Sequence, residues 1–554
     1  MSYASSYPAA VLPAALALLC ACGSSTPPSE TPSTTDVPDV SATELDKHLR
    51  FLASDALAGR MTGTPGYDAA AEYVASQFHG LGLEPAGDDD YFQHVPYVSS
   101  HIDTESAAVR VFGGEDAKEL EFRDDFVMGG DVSREHAKVR APAVFVGHGV
   151  SAPDLDHDDY ADVDVDGKIV VAVSGAPEAL PVNERAYHSS GLRKQETAAE
   201  RGAVGYVSLR DAYAAEHYEW DATAHNAGTL PTMRWLSDDE EPADHVPELR
   251  GVARLSESAA AELFVGASQS HDEIMAADAD GKALDSFPLE VELELERESS
   301  IEHITGPNVV GVLPGADPEL ADEYVVYSAH LDHLGEGRPV DGDAIYNGAY
   351  DNALGVSVLI ETARAFSELD TPPRRSILFI AVGAEELGLR GSDYFARNQT
   401  VTGDLVANVN LDMPLFLYPL RDVVAFGAEH STLESPVERA AEAEGWELSP
   451  DPMPEEVIFI RSDQYSFVRR GVPAVFLVSG MSSTDPDTDG GAAQRDFLQN
   501  HYHKPSDDLS QPIHWPSAQT FTRVNMRIGL EVANADAAPE WHSGNFFGER
   551  FGEP

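Results

Sequence analysis

The sequence predicts an α/β protein: a mixed, largely parallel central sheet flanked by helices, with a smaller β-rich unit inserted into it. Three observations predict this. From about residue 286, short apolar runs (EYVVYSAHL, SILFIAVG, LVANVNLDM, AVFLVSG) alternate with helical stretches such as ALGVSVLIETARAFSEL. Between 131 and 285, β-rich runs (APAVFVGHGV, KIVVAVSG, AVGYVSL) alternate instead with acidic loops. With 554 residues and 42% hydrophobic composition, the chain is long enough for more than one domain and apolar enough to bury a core.

The segments follow in order. Residues 1–22 contain VLPAALALLCACG, an apolar run of signal-peptide length that is short for a membrane span. Its end, Leu19-Cys20-Ala21-Cys22-Gly23, resembles a bacterial lipobox with Cys22 as the lipidated residue, although MSYASSYP carries no Lys or Arg. Export is therefore expected, as a cell-envelope or outer-membrane lipoprotein or a secreted protein. Residues 23–41 form a Ser/Thr/Pro linker. Residues 42–130 open the main domain with two helical patterns, ATELDKHLRFLASDALAGR and GYDAAAEYVASQFHGLGL. The insert spans 131–285, the second part of the main domain 286–536, and residues 537–554 are expected to be a loosely attached tail.

Charge excludes some functions. Lys+Arg is 36 and Asp+Glu is 95, a net charge of −59. Phosphate backbones and anionic lipid surfaces are bound by Lys and Arg, so nucleic acid and polybasic membrane contacts are excluded. Any membrane contact would run through a lipid on Cys22. So acidic and lysine-poor a surface also resembles those of salt-adapted proteins, whose self-repulsion is screened at short Debye lengths. The cysteines, Cys20 and Cys22, both lie in the leader, so the folded part has no disulfide and no thiolate metal ligand.

The chemistry gathers where the expected strands end, which is where ligands of such sheets collect. VVYSAH ends on His330 with Asp332 beyond it, SILFIAVGAEE on Glu385 and Glu386, and LVANVNLD on Asp412. YNGAYDNALG places Asp351 in a loop before a helix, and HYHKPSDD carries His501 and His503. Each piece has an ordinary reading: a lone histidine is more often structural, an EE pair is usually solvated, and Asp351-Asn352 could only cap a helix. Their conjunction at strand ends points to a divalent metal, most plausibly zinc. Five ligands exceed one open tetrahedral site and suit two ions sharing a carboxylate. Consecutive Glu385 and Glu386 diverge on extended backbone, so one can bind metal while the other serves as a general base.

Taken together, these stretches resemble the co-catalytic zinc aminopeptidases of the aminopeptidase Y and secreted bacterial leucyl aminopeptidase type, in the form with an inserted protease-associated (PA) domain. LASDALAGRMTGTPGYDAA, VFVGHGVSAPDLDHDDYADVDVDGKIVV, GPNVVGVLPG, SAHLDHLG, YNGAYDNALG, AEELGLRGS, NLDM, RSDQYSFVRRGVPAVF and YHKPSDD carry the likeness, over about residues 45–515. It implies the zinc exopeptidase fold, two zinc ions and peptide substrates. His330, Asp351 and Asp412 would hold one zinc, and Asp351, Glu386 and His503 the other. Glu385 would be the general base, and Asp332, counted with it as catalytic, would orient His330. Arg461 and Tyr465 would face substrate. His333 and His501 fall outside the implied ligand positions and read as structural. Gln464 stands where relatives often show His, which bears on substrate contacts rather than on the metals.

Asp162–Gly167 mimics the start of an EF-hand, but the twelfth position is Val173 and KIVVAV reads as a strand. A weak calcium site of another kind stays open, since the resemblance includes calcium-modulated members. HExxH, GxSxG and P-loop motifs are absent from the sequence. Three readings remain: a zinc aminopeptidase, a related carboxypeptidase-type exopeptidase, and a non-catalytic receptor or binding module on the same scaffold.

Overall fold

The computed structural model describes residues 37–113 and 117–552. The leader with its lipobox-like Cys22, and the linker up to residue 36, lie outside the described residues. No helix among the described residues is long and apolar enough to cross a membrane.

The central sheet uses eight main strands: β1 (Phe92–Ile102), β2 (Thr232–Trp235), β3 (Phe287–Leu313), β4 (Glu323–His330), β5 (Ser376–Val382), β6 (Asp404–Asn410), β7 (Asp422–Phe426) and β8 (Ala474–Ser479). They lie in the order β2-β1-β3-β5-β4-β6-β8-β7. The middle four, β5, β4, β6 and β8, are parallel, and the outer pairings β2–β1, β1–β3, β3–β5 and β8–β7 are antiparallel.

The apolar runs are continuous because both sheet faces are covered. Alternate residues serve the two sides. Val325, Tyr327, Ala329, Ile377, Phe379 and Ala381 pack beneath the helices Ala42–Leu52, Leu354–Ser367 and Trp515–Asn534. Val326, Leu378, Ile380 and Val382 pack on the other side with Phe395 and Phe467. Each such large side chain contributes about 1.5–3 kcal/mol by leaving water. Ser41 caps the first of these helices by accepting the Glu44 N–H at 3.2 Å.

A second sheet takes its strands from Ala108 through the first half of β3, beyond both ends of 131–285. It includes His136–Phe145, Ile169–Val173, Gly205–Leu209 and Val252–Leu255. In His136–Phe145 buried and exposed residues alternate, so one face looks to a core and the other to water. β3 runs through both sheets, its first half in the second and its latter half in the central one. The strand Ile169–Val173 directly follows the acidic run that mimics an EF-hand.

The tail departs from expectation. Phe546–Phe551 is a helix, Phe547 is fully buried, and Trp541 Nε1 donates to the Gly471 carbonyl at 2.7 Å. The tail's aromatic residues explain this, since Phe547 packs against the rings of Phe459 and His430.

Candidate metal centre

Parallel register brings the acids together. His330 at the end of β4 stands opposite Val382 at the end of β5, and Ser328 stands opposite Asn410 at the end of β6. The chain leaving each strand therefore starts from one edge, placing His330, Glu385–Glu386 and Asp412 on a common crevice. Asp351 arrives from the loop before helix Leu354–Ser367, where Asn352 Oδ1 accepts the Gly355 N–H at 3.1 Å.

Two groups share Asp351. His330 Nε2 lies 3.2 Å from Asp351 Oδ1 and 3.0 Å from Asp412 Oδ1. His503 Nε2 lies 3.3 Å from Asp351 Oδ2 and 3.1 Å from Glu386 Oε2. Ligands at about 2.0–2.1 Å on a tetrahedral ion sit about 3.3 Å apart, so these spacings and this thiolate-free donor set fit zinc. His330, Asp351 and Asp412 offer atoms all within 4.8 Å of one another.

The charges are strongly coupled. Burial opposes ionisation of Asp351, but hydrogen bonds to His330 and His503 outweigh it and hold its carboxyl well below the usual range. Burial and Asp351 push Glu386 up, yet His503 and the hydrogen bond to His333 carry it down to about 2. Glu385 goes the other way: burial first, then Asp412, Glu386 and Asp463, raise it well above an ordinary glutamate. Neighbouring carboxylates thus differ in proton affinity.

Asp332 has contacts beyond the expected one with His330. His330 Nδ1 lies 3.3 Å from the Asp332 backbone carbonyl and 4.0 Å from its carboxylate. The carboxylate also accepts the backbone N–H groups of Glu385 and Glu386, at 3.1 and 3.4 Å. It therefore fixes the loop that carries the EE pair. The reason is local: two residues past a strand end, its side chain faces the neighbouring strand's exit loop.

Arg461 sits on the rim, with its side chain about half exposed and Nη1 donating to Glu456 Oε2 at 2.6 Å. Tyr218 of the second-sheet region hydrogen-bonds the other oxygen of Glu456. Tyr465 packs elsewhere, among Val424, Phe426, Phe459 and Phe547. That packing gives it a core role rather than the substrate-facing one expected from its motif, because its helix turns this residue towards the docked tail. His501 bonds Ser506 and Gln511 within its own loop.

Three supporting residues escaped the sequence reading. Asp507 Oδ1 and Oδ2 accept the N–H groups of Tyr350 and Asp351 at 2.9 and 3.1 Å, fixing the backbone of the shared carboxylate. Arg60 is fully buried and donates to the carbonyls of Leu331 at 2.9 Å, Asn347 at 2.6 Å and Gly348 at 3.1 Å. It thus ties the loop after His330 to the loop before Asp351. Ser462 Oγ donates to Asp412 Oδ2 at 2.6 Å. Both Arg60 and Asp507 lie inside stretches that carried the resemblance, but their partners are backbone groups that no spacing rule reveals.

Residues 308–528 match the model of peptidase family M28. Mouse aminopeptidase NAALADL1 is 34% identical over 138 residues, 24% of this chain and 17% of that protein. Leupeptin-inactivating enzyme 1 of Streptomyces exfoliatus is 28% identical over 220 residues, 37% of this chain and 44% of that one. Aminopeptidase YwaD of Bacillus subtilis is 28% identical over 228 residues, 40% and 42% of the two chains. The chain thus spans less than half the length of these curated relatives. The solved aminopeptidase from Aneurinibacillus sp. strain AM-1 superposes with a TM-score of 0.52 at 18% identity, over 91% of this chain and 95% of that one, and so shares the fold. The strand-end acids and imidazoles described above lie within residues 308–528 or beside them on the same sheet edge, so the match to peptidase family M28 falls on the part of the chain that builds the site.

Proposed function

We propose that the protein is a zinc-dependent aminopeptidase that hydrolyses the N-terminal peptide bond of peptides. The observation that carries this reading is Asp351, whose two oxygens serve two different imidazole–carboxylate groups, with a partly buried Glu385 that offers an oxygen within 4.8 Å of atoms of His330 and Glu386. His330, Asp351 and Asp412 would hold one zinc, and Asp351, Glu386 and His503 a second. Zinc bound there would activate water and polarise the substrate carbonyl. Asp332 holds the backbone of the EE loop so that Glu386 faces the ligand group while Glu385 stays free. Glu385 would take a proton from the attacking water and deliver it to the departing amine. The crowd of carboxylates favours a cationic substrate group nearby, such as a free α-ammonium.

We further read the second sheet as a PA-like insert that walls one side of the cleft. Its segment 211–230 reaches the main domain through Tyr218 to Glu456 and through His225 Nε2, 2.8 Å from the Tyr346 hydroxyl. Arg461, held by the same Glu456, would meet substrate at that wall. Export with a lipid anchor on Cys22 completes the proposal.

The test is peptide-bond hydrolysis on three substrates with and without chelator: aminoacyl amides, their N-acetylated forms, and peptides blocked at the C-terminus. Loss on N-acetylation and on chelation is expected. Activity retained on N-blocked peptides would replace this reading with a carboxypeptidase, and absence of zinc from purified, inactive protein would replace it with a binding module.

A further inference from the structure

His333 lies three residues past the end of β4, and its side chain is fully buried. Its Nδ1 is 2.7 Å from Glu386 Oε1, the shortest contact that glutamate makes with an imidazole. His503 meets the other oxygen, Oε2, at 3.1 Å. The two oxygens of Glu386 are thus divided between two histidines of different kinds. One is sealed in the protein, and the other has a side chain 35% exposed.

An ionised carboxylate only accepts hydrogen bonds, so the ring nitrogen facing it carries the proton. At 2.7 Å this pair is closer than the about 3.3 Å that two ligands of one tetrahedral ion keep, and closer than the 3.1 Å of His503, so the contact has the geometry of a hydrogen bond from His333 Nδ1–H rather than of two co-ligands. Its Nε2 is buried with no hydrogen-bond partner among the described residues, and an orphaned lone pair there is less costly than an orphaned N–H. The same tautomer follows from both ends of the ring.

The ring is also fixed in place. It packs on Gly348, where a Cβ would lie 2.5 Å from His333 Cγ, so the backbone beside Asp351 can approach only because residue 348 has no side chain. Gly348 also has φ of 58°, a conformation that suits glycine. The His503 ring stands edge-on to it at 5.8 Å.

We propose that His333 is a positioning residue: its Nδ1–H ties up one oxygen of Glu386 and presents the other, singly, to the metal held with Asp351 and His503. This rests on the two-zinc reading above and goes beyond it by giving a role to a histidine outside the ligand set. Carboxylates that bind metals are commonly held by such donors, and losing one typically weakens metal binding 10–100-fold.

Two variants separate this role from simple packing. His333→Asn keeps an N–H close to the Nδ1 position, whereas His333→Leu keeps bulk without a donor. Each is titrated with zinc against a chromophoric chelator and reconstituted with cobalt for its visible absorption spectrum, with far-UV circular dichroism checking the fold. For His333→Leu, one of the two binding steps should weaken by about 10–100-fold and the other stay put. His333→Asn should bind close to wild type, with a wild-type cobalt spectrum. The proposal is overturned if the Asn variant is as weak as the Leu variant, or if Leu leaves both steps unchanged. Should the Leu variant not fold, a zinc-loaded crystal structure of the wild type decides: a retained His333–Glu386 bond supports the role, and zinc on His333 Nδ1 overturns it. Failure of wild type to bind two zincs would defeat the functional reading itself, whereas an indifferent His333 series with two zincs bound defeats only this inference.

Discussion

On the outer face of the second sheet, Glu292, Glu294 and Glu296 alternate along β3, and each meets a cation from a neighbouring strand. Arg140 lies 2.8 Å from Glu292, Arg110 2.7 Å from Glu294 and Lys138 3.0 Å from Glu296. At the strand ends of the central sheet, Asp351, Glu386 and Asp412 find imidazoles instead, and Asp351 and Glu386 are more deeply buried than any of the three glutamates. The first set is complete within the chain, and its pairs at Glu292 and Glu296 are exposed enough to be worth little. The second gathers negative charge out of water with imidazoles that are each neutral or singly charged and shared between carboxylates, which is costly unless a metal joins them. Net charge alone cannot separate the two, since both count equally towards −59.

Four measurements would break or sharpen that contrast, the largest effect first. Stripping metal with a chelator should abolish turnover and lower the thermal midpoint, because zinc at a thousandfold excess over its dissociation constant stabilises by about 4 kcal/mol. An unchanged midpoint and full activity would show that the buried acids need no cation. Glu385→Gln should cut turnover by about 10²–10⁴-fold while zinc content, read by elemental analysis, stays at the wild-type value. Loss of zinc instead would mean that Glu385 and Glu386 have exchanged roles.

Asp507→Asn comes next. The amide can accept from only one of the two N–H groups that Asp507 now serves, so the other is left facing a donor. Denaturant unfolding should show a loss of about 1–3 kcal/mol, with weakened zinc binding because Asp351 shifts. Neutral behaviour would remove Asp507 from the support of the site.

The smallest effect belongs to the outer face. Hydrogen bonds from Arg110 and Lys138 hold Glu296 down to about 2, against an ordinary 4.5. A lowered carboxylate stabilises the fold above the unfolded value, so this contribution is complete above about pH 4.5 and lost as pH falls towards 2. Glu296→Gln should therefore cost under about 1 kcal/mol at pH 7, less in 1 M salt, and nothing below pH 2. A cost independent of both salt and pH would show that packing, not charge, matters there.

The comparison also explains what could be read in advance. Strands β4, β5 and β6 were legible because a run covered on both faces has to be apolar throughout, and the first polar residues after it mark its carboxyl end. His330, Glu385, Glu386 and Asp412 stand at those marks. Asp351 and His503 sit in loops without periodicity and drew meaning from the quoted motifs. Arg60 was beyond reach, since three of the carbonyls it binds lie 271 to 288 positions away along the main chain. Asp332 was read for only one of its contacts: spacing places it beside His330, and the sheet also places it under the next loop. The tail was misjudged by position: a chain end is usually loose, but Phe547 and Trp541 have an apolar site waiting for them.

Arg60 and Asp507 have a consequence for timing. The first clamps the loops around His330 and Asp351 from near the start of the described chain, and the second braces the Asp351 backbone from near its end. During synthesis, domains form as the chain emerges, but distant contacts must wait for both partners. A ribosome-bound chain that has not yet delivered residue 507 has the histidine and acids of β4, β5 and β6 without the brace that aligns their shared member. Unfinished chains would therefore be inert towards their surroundings, and competence would arrive in a single late step.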